Sequence, residues 1–383
     1  ELKALGRHPE FRDELDRDAL GQYLQYGWVA APMSIYRHVR KLPQGCLLRV
    51  ALDDAGTRPQ PEPYWSAAQV ALDGVRTPFT GSYEEAVRAL EEVLTETVRD
   101  RMIADVEIGA LLSGGIDSST VVAMMQRQSE RPVKTFSIGF SEARYNEAGY
   151  AAAVAKHLGT DHHEMYVTPQ QALDVVELLP HIYDEPFADS SQIPTYLVCK
   201  LAREQLKVVL TGDGGDEQFA GYRRYETCLT HWQQVNQLPD ALRPGMEKLY
   251  AGLGGLGWQL SEKRAMAGHN VPKWTRKMTK PSQRAWNWNA QCPQQILANK
   301  LNKCVPVDQL VAGARDRDTG LSSPSHWADV DDPLLAMLHY DYIGYLPDDI
   351  LVKVDRASMA VGLEARAPLL DHRVLELAWS LPQ

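Results

Sequence analysis

Long apolar runs are missing from this sequence. Nowhere in its 383 residues does the chain approach the ~20 consecutive apolar positions that a bilayer-crossing helix needs. The opening residues, among them Glu1, Lys3, Arg7, His8 and Glu10, hold no signal-peptide core. A cytoplasmic protein with no membrane partner is therefore expected. Positive charge is also short: 40 Lys and Arg against 50 Asp and Glu leave a net charge of −10. Nucleic-acid binders usually carry a basic face, and this overall field would repel a polyanion. No nucleic-acid partner is expected. Cysteine is scarce as well. Cys46, Cys199, Cys228, Cys292 and Cys304 form no C-x-x-C pair and have no His pair nearby, which excludes a zinc knuckle and suits scattered reduced thiols.

What is present is an ordinary globular composition, 44% hydrophobic and 23% charged, which disfavours disorder. At ~100–200 residues per domain, the length predicts two domains or one with an attachment. Residues 1–66 read as the end of an N-terminal domain plus a linker. A helix is expected from Leu15 to Tyr26, Val29-Ala-Ala-Pro-Met33 breaks it, and a short strand follows at Cys46 to Val50. Three prolines between Arg58 and Pro63 mark the linker.

Residues 67–383 read as a second unit. Ser82-Tyr-Glu-Glu85 is a capping box for a helix with Val87, Leu90, Leu94 and Val98 on one face. Strands are expected at 107–112, 135–140, 165–168 and 207–210, alternating with helices at 119–126, 147–158 and 193–201. That alternation predicts an α/β fold, a parallel sheet with helices on both faces, over about 82–225. Residues 226–383 read as largely helical, with helices at 334–345, 350–361 and 372–379. Trp232, Trp258, Trp274, Trp286, Trp288 and Trp327 fall in the looser stretch and are read as core filling. His162-His163 in an extended segment would face opposite ways, which disfavours a shared metal. Lys353, Asp355 and Arg356 suit ion pairs on a helix surface.

The sharpest feature is Leu111-Leu-Ser-Gly-Gly-Ile-Asp-Ser-Ser119, between an apolar strand and a helix. Ligands of open α/β sheets bind at such junctions. Gly114 and Gly115 have no side chain to block a phosphate, Ser113, Ser118 and Ser119 add hydroxyls, and the helix N-terminus favours an anion. Asp117 would repel that anion unless a Mg²⁺ lay between them, taking carboxylate and phosphate oxygens together. The bland alternative is a serine-rich helix cap. No Gly-Lys-Ser/Thr follows, so this is no Walker loop. A second loop, Leu210-Thr-Gly-Asp-Gly-Gly-Asp-Glu-Gln-Phe-Ala-Gly-Tyr222, also follows a buried strand. Its Asp216 would be the second carboxylate on the same ion.

The first loop resembles the pyrophosphate loop of the N-type ATP pyrophosphatases, Ser-Gly-Gly-x-Asp-Ser. Both loops together resemble the synthetase domain of the glutamine-dependent asparagine synthetases. Thr135-Phe-Ser-Ile-Gly-Phe140, Tyr345-Leu-Pro-Asp-Asp-Ile-Leu-Val-Lys-Val-Asp-Arg-Ala-Ser-Met359 and Leu363-Glu-Ala-Arg-Ala-Pro-Leu-Leu-Asp-His372 agree, and Leu20 to Pro43 is similar to the tail of that family's glutaminase domain. The resemblance implies an adenine-nucleotide α-hydrolase-like sheet. It implies ATP contacts at Leu112, Ile138, Thr211 and Gly212, phosphate contacts at Ser113, Gly114, Gly115, Asp117, Ser118 and Ser119, and Mg²⁺ at Asp117 and Asp216. Asp213 and Glu217 fall near the acyl-adenylate, where either would take the surplus proton of attacking ammonia. The implied reaction is ATP-dependent amidation of a carboxylic acid, with ammonia supplied from glutamine and AMP and pyrophosphate released. A homodimer is left open.

Aspartate is the default acceptor. The aspartate-specific Thr-x-Ile-Arg-Ala-Ser stretch reads here Asp184-Glu-Pro-Phe-Ala-Asp-Ser-Ser191, with Ser190 at the arginine, so a sugar or secondary-metabolite carboxylate stays open. A cyclising relative of β-lactam synthetase type ranks lower, because that family tends to have tyrosine where Asp213 stands. tRNA-modifying enzymes share the first loop but need a basic surface.

Overall fold

Apolar runs too short for helices build the centre of the computed structural model, which describes residues 1–51, 59–140, 146–266, 285–302 and 307–382. Ile108–Leu111 (β1), Lys134–Phe140 (β2), Asp161–Val167 (β3), Val208–Leu210 (β4) and Glu364–Arg366 (β5) form one sheet in the order β3-β2-β1-β4-β5. All neighbouring pairs are parallel, with Ala110 opposite Thr135 on one side and Leu210 on the other. Successive residues point to opposite faces, and both faces are covered as expected. Ala110 and Leu210 join Leu94, Val98, Val121 and Met125 on one side. Val209 and Phe136 join Cys199, Ala202 and Leu206 on the other.

The helices follow from local chemistry. Tyr83–Arg101 (α1) starts at the expected capping box: Ser82 Oγ accepts the Glu85 N–H at 3.3 Å, and the Glu85 carboxylate accepts the Ser82 N–H at 2.7 Å. Ile116–Arg127 (α2), Ala148–Leu158 (α3) and Gln192–Arg203 (α4) are the crossovers between strands.

Two elements depart in kind from the sequence reading. Glu364–Arg366, expected only as part of a family motif, is the edge strand β5. Three residues without an apolar run give no strand signal, and β4 supplies the pairing. The expected helix 334–345 is α-helical only over Pro333–Tyr340. It widens into a π-helix over Asp341–Ile350 that contains Pro347. Proline lacks an N–H and its ring crowds the carbonyl four residues earlier. The Ile343 carbonyl accepts from the Gln44 side chain at 2.9 Å. The segment then passes into the helix Leu351–Met359 (α5).

Near the N-terminus, Arg17–Tyr26 is helical, capped by Asp16, and Gly27 ends it at φ 100°. The expected strand at 46–50 is confined to Cys46–Leu47, paired with Glu62–Pro63. The early segment is pinned to the later chain: Leu2 N–H donates to Asp184 at 2.7 Å, Lys41 pairs with Glu185 at 2.8 Å, and Ala31 N–H donates to Asp348 at 3.0 Å.

Trp232, Trp288 and Trp327 pack against the largest core cluster, whereas Trp286 is exposed. Trp274, Cys304 and the side chain of Trp258 lie outside the described residues. His162 bonds Thr135 at 2.9 Å and Ser137 at 3.2 Å, while His163 stacks on Phe136. Among the described residues no helix is long and apolar enough to cross a membrane.

Candidate active site

After β1 the chain moves outward to β2 and β3, then returns to the other side of β1 as β4. Strand order reverses between β1 and β4, and in open α/β sheets ligands bind in the crevice at that reversal. The two glycine-acid loops leave the C-terminal ends of these two strands.

Their backbones touch. A Cβ on Gly212 would sit 2.6 Å from the Ser118 nitrogen, and one on Gly215 would overlap the Asp117 carboxylate. Gly114 has φ +81°, and a Cβ there would lie 2.6 Å from the Ala151 nitrogen at the start of α3. Glycine is needed at 114 for backbone conformation and at 212 for close approach.

The serines divide their roles. Ser118 Oγ accepts the Ser113 N–H at 3.2 Å and lies 3.0 Å from Ser113 Oγ, while the Gly115 N–H donates to Ser113 Oγ at 3.2 Å. These bonds brace the turn from within. Ser119 Oγ is buried with no partner among the described residues. The flanking positions hold the loops in place. Leu112 is buried and its N–H donates to the Phe136 carbonyl at 2.9 Å, and the Thr211 N–H donates to the Arg366 carbonyl at 2.8 Å. Ile138 lies on β2, packed against Val167, Val175 and Leu197.

The acids are crowded. Burial, then the charges of Asp216 and Asp213, push Asp117 up to about 6, with the Asp216 N–H opposing. Burial raises Asp213 against the pull of the Thr211 hydroxyl and Lys353. Burial raises Asp216 against Arg224. Glu217 is pushed up to about 7 by burial, opposed by the Tyr222 O–H that donates to it at 2.6 Å. Buried acids that repel one another favour either protons or a cation. Hard carboxylate oxygens suit Mg²⁺, which commonly takes one or two carboxylates and completes its shell with phosphates and water. Asp117 and Asp216 fit that pattern. Among the described residues no group of three or more His, Cys, Asp or Glu side chains is arranged to hold a metal without such additions.

Sequence reasoning did not find the scaffold behind the second loop. The Arg224 guanidinium lies 4.0 Å over the Tyr222 ring and 4.2 Å over Tyr345, and bonds Asp341 at 2.6 and 3.1 Å. Tyr225 O–H donates to the same oxygen at 2.5 Å. The signal present was Tyr222-Arg-Arg-Tyr225 directly after the loop, but its partner Asp341 is 117 residues away. Lys353, read as a helix-surface charge, is largely buried and pairs with Asp189 at 3.0 Å. Arg356, from the same helix, pairs with Glu1 at 3.2 Å and Asp184 at 3.6 Å. A hollow of about 290 Å³ beside the second loop is lined by Thr211, Asp213, Leu351, Asp355, Ser358 and Leu370, among others.

The sequence profile of asparagine synthase matches residues 89–383, which include both loops, the whole sheet and the scaffold. The chain belongs to the asparagine synthase family. The profile of a glutamine amidotransferase domain matches residues 1–65. A putative asparagine synthetase [glutamine-hydrolyzing] of Mycobacterium tuberculosis H37Rv is 31% identical over 378 residues, 97% of this chain and 53% of the relative. Asparagine synthetase [glutamine-hydrolyzing] 1 of Bacillus subtilis is 27% identical over 372 residues, 96% of this chain and 54% of the relative. Asparagine synthetase B of Escherichia coli is 35% identical over 150 residues, 35% of this chain and 26% of the relative. The chain thus spans about half the length of the first two of these synthetases.

Proposed function

We propose that the protein amidates a carboxylic acid, aspartate by default, in an ATP-dependent reaction that passes through an acyl-adenylate. Direct contact between the two acid-bearing loops at the reversal of strand order carries this reading. An acceptor carboxylate oxygen attacks the α-phosphorus of ATP and pyrophosphate departs. Ammonia then attacks the acyl carbon, loses a proton, and expels AMP. A free carboxylate cannot be amidated this way because its oxide is a very poor leaving group.

The chain's residues divide this work. The Ser113–Ser119 loop holds the departing pyrophosphate with backbone N–H groups and the N-terminus of α2. Mg²⁺, held by Asp117 and Asp216, would supply positive charge to the departing phosphates. Asp213 lines the hollow beside the second loop and would take the ammonia proton, with Glu217 as the alternative acceptor. Ammonia comes from glutamine through an amidotransferase unit whose end is residues 1–66, with 67–383 the synthetase unit. The relatives, all named as glutamine-hydrolyzing synthetases, support this reading.

The test is a panel of carboxylic acids with ATP, Mg²⁺ and ammonium on the full-length protein. AMP and pyrophosphate should form with one acid class, aspartate first. Formation of ADP and phosphate would overturn the mechanism.

A further inference from the structure

The turn that follows the second acid loop is held harder than a connection needs. Ala220, within it, has φ +59° and is the only non-glycine residue among the described residues in the left-handed region, a conformation that persists only where the surroundings impose it. The next residue, Gly221, faces the Asp216 carboxylate so closely that a Cβ would overlap it. Tyr222 follows, and its O–H donates back to the Glu217 carboxylate at 2.6 Å. The turn thus touches both neighbouring acids, Asp216 by packing and Glu217 by a hydrogen bond.

Tyr222 has little freedom of its own. The Arg224 guanidinium lies over its ring at 4.0 Å, and the Tyr225 and Tyr345 rings stand 6.0 Å away at 42° and 80°. Arg224 is fixed in turn, because Asp341 accepts from two of its nitrogens at 2.6 and 3.1 Å and the Tyr345 ring lies 4.2 Å from it. A planar guanidinium can bond through its edge and stack through its faces at once. Tyr345 rests against Trp28, edge to face at 5.6 Å. Trp28 is buried and belongs to the residues 1–65 that match the amidotransferase profile. The stack therefore leads from that segment to the acid that Tyr222 bonds. The Ala31 N–H, bonded to Asp348 at 3.0 Å, fastens the same segment to the π-helix that carries Tyr345 and Asp341.

We infer that Tyr222 is a positioning residue that aims the Glu217 carboxylate, and that Trp28 positions the same carboxylate from the amidotransferase-like segment, through Tyr345 and Arg224. This rests on the amidation reading above, in which Glu217 stands beside Asp213 as an acceptor for the ammonia proton. Removing a member of the stack frees the next one. A carboxylate that loses its aim slows the proton transfer without loosening the hold on ATP, and a misplacement of about 1 Å costs up to about 100-fold.

The test uses the full-length enzyme with ammonium as the nitrogen source, so that glutamine hydrolysis does not enter. It reads kcat for AMP formation, KM for ATP, and the pyrophosphate released in the first turnover, which precedes the attack of ammonia. Tyr222→Phe, which removes only the hydroxyl, should lower kcat by about 10- to 100-fold, the scale of a lost hydrogen bond to a charged group. The ATP KM and the first-turnover pyrophosphate should stay as in wild type. Trp28→Leu should lower kcat less, and the double variant should be no slower than Tyr222→Phe alone, because both act through one bond. Arg224→Lys, whose compact ammonium cannot lie flat between two rings, replaces Trp28→Leu in the test if that variant does not fold. An unchanged kcat in Tyr222→Phe, an equal loss of first-turnover pyrophosphate, or effects that multiply in the double variant would overturn the inference. Wild-type enzyme that forms no AMP with any acid would instead overturn the amidation reading, and this one with it.

Discussion

Asp117 is the residue on which the proposed chemistry leans hardest. Its carboxylate is crowded by Asp216 and Asp213, and the Asp216 N–H is the group that eases it. Asp117→Asn keeps the shape and removes the charge. AMP formation should fall by at least about 100-fold, the scale of losing one preorganised electrostatic group, while the melting temperature of the nucleotide-free protein should not drop, since like-charge repulsion is relieved. A variant that melts well below wild type would assign Asp117 to folding instead. Gly212 gives a second test. Its α-carbon faces the Ser118 nitrogen with no room for a methyl group, so Gly212→Ala should push the loops apart and abolish AMP formation, with far-UV circular dichroism unchanged. These loop residues were legible in the sequence because glycine and acid together have few structural uses. Lys353 and Asp189 were not. A sequence displays each charge but not its partner 164 residues away, and both look like solvated surface groups until the fold brings them together.

At the scale of elements, legibility followed apolar content and local caps. The Ser82–Glu85 capping box and strands β1 to β4 were predictable, the first from hydrogen bonds within one turn and the others from short apolar runs between turn residues. β5 was invisible because its three residues, Glu364-Ala-Arg366, carry no apolar run and take their conformation from β4. The π-helix was invisible because proline predicts a break rather than a widened turn that carries the chain on into α5. That π-helix begins at Asp341, which is wholly buried and holds Arg224 and Tyr225. Asp341→Ala would leave the Arg224 guanidinium buried without its counter-charge. Breaking such a pair from one side costs about 3–5 kcal/mol, which urea unfolding should register as a lower midpoint. Asp341→Asn, still able to accept a hydrogen bond, should lose less. Equal stability of wild type and Asp341→Ala would mean that the stacked tyrosines alone suffice.

For the whole molecule, stability depends on groups far from the loops, and His339 gives that dependence a measurable sign. It lies in the helix Pro333–Tyr340, buried near Trp379, and its Nδ1 accepts the Ala328 N–H at 3.2 Å. Accepting that bond requires a neutral ring nitrogen, and burial pushes the imidazole down to about 4. The unfolded chain takes up the proton near the ordinary histidine value of ~6.5, so protonation favours the unfolded state over the interval between. Its stabilising contribution is fully present above about pH 6.5 and is lost as pH falls toward 4, by roughly 3 kcal/mol at ~1.4 kcal/mol per unit. Asn offers an amide oxygen to the Ala328 N–H and does not titrate. Melting temperatures of wild type and His339→Asn, measured from pH 7.5 to pH 4.5, should therefore converge as the solution becomes more acid, with wild type falling more steeply. Parallel curves would show that the acid sensitivity arises elsewhere, for instance at exposed Glu14, whose hydrogen bond and ion pair with Arg37 hold its carboxyl below the usual range and are lost on protonation. The two origins separate by salt. Exposed and half-exposed pairs are screened within a Debye length of about 8 Å at physiological ionic strength, whereas a buried imidazole is not, so the His339 component should persist in 0.5 M salt.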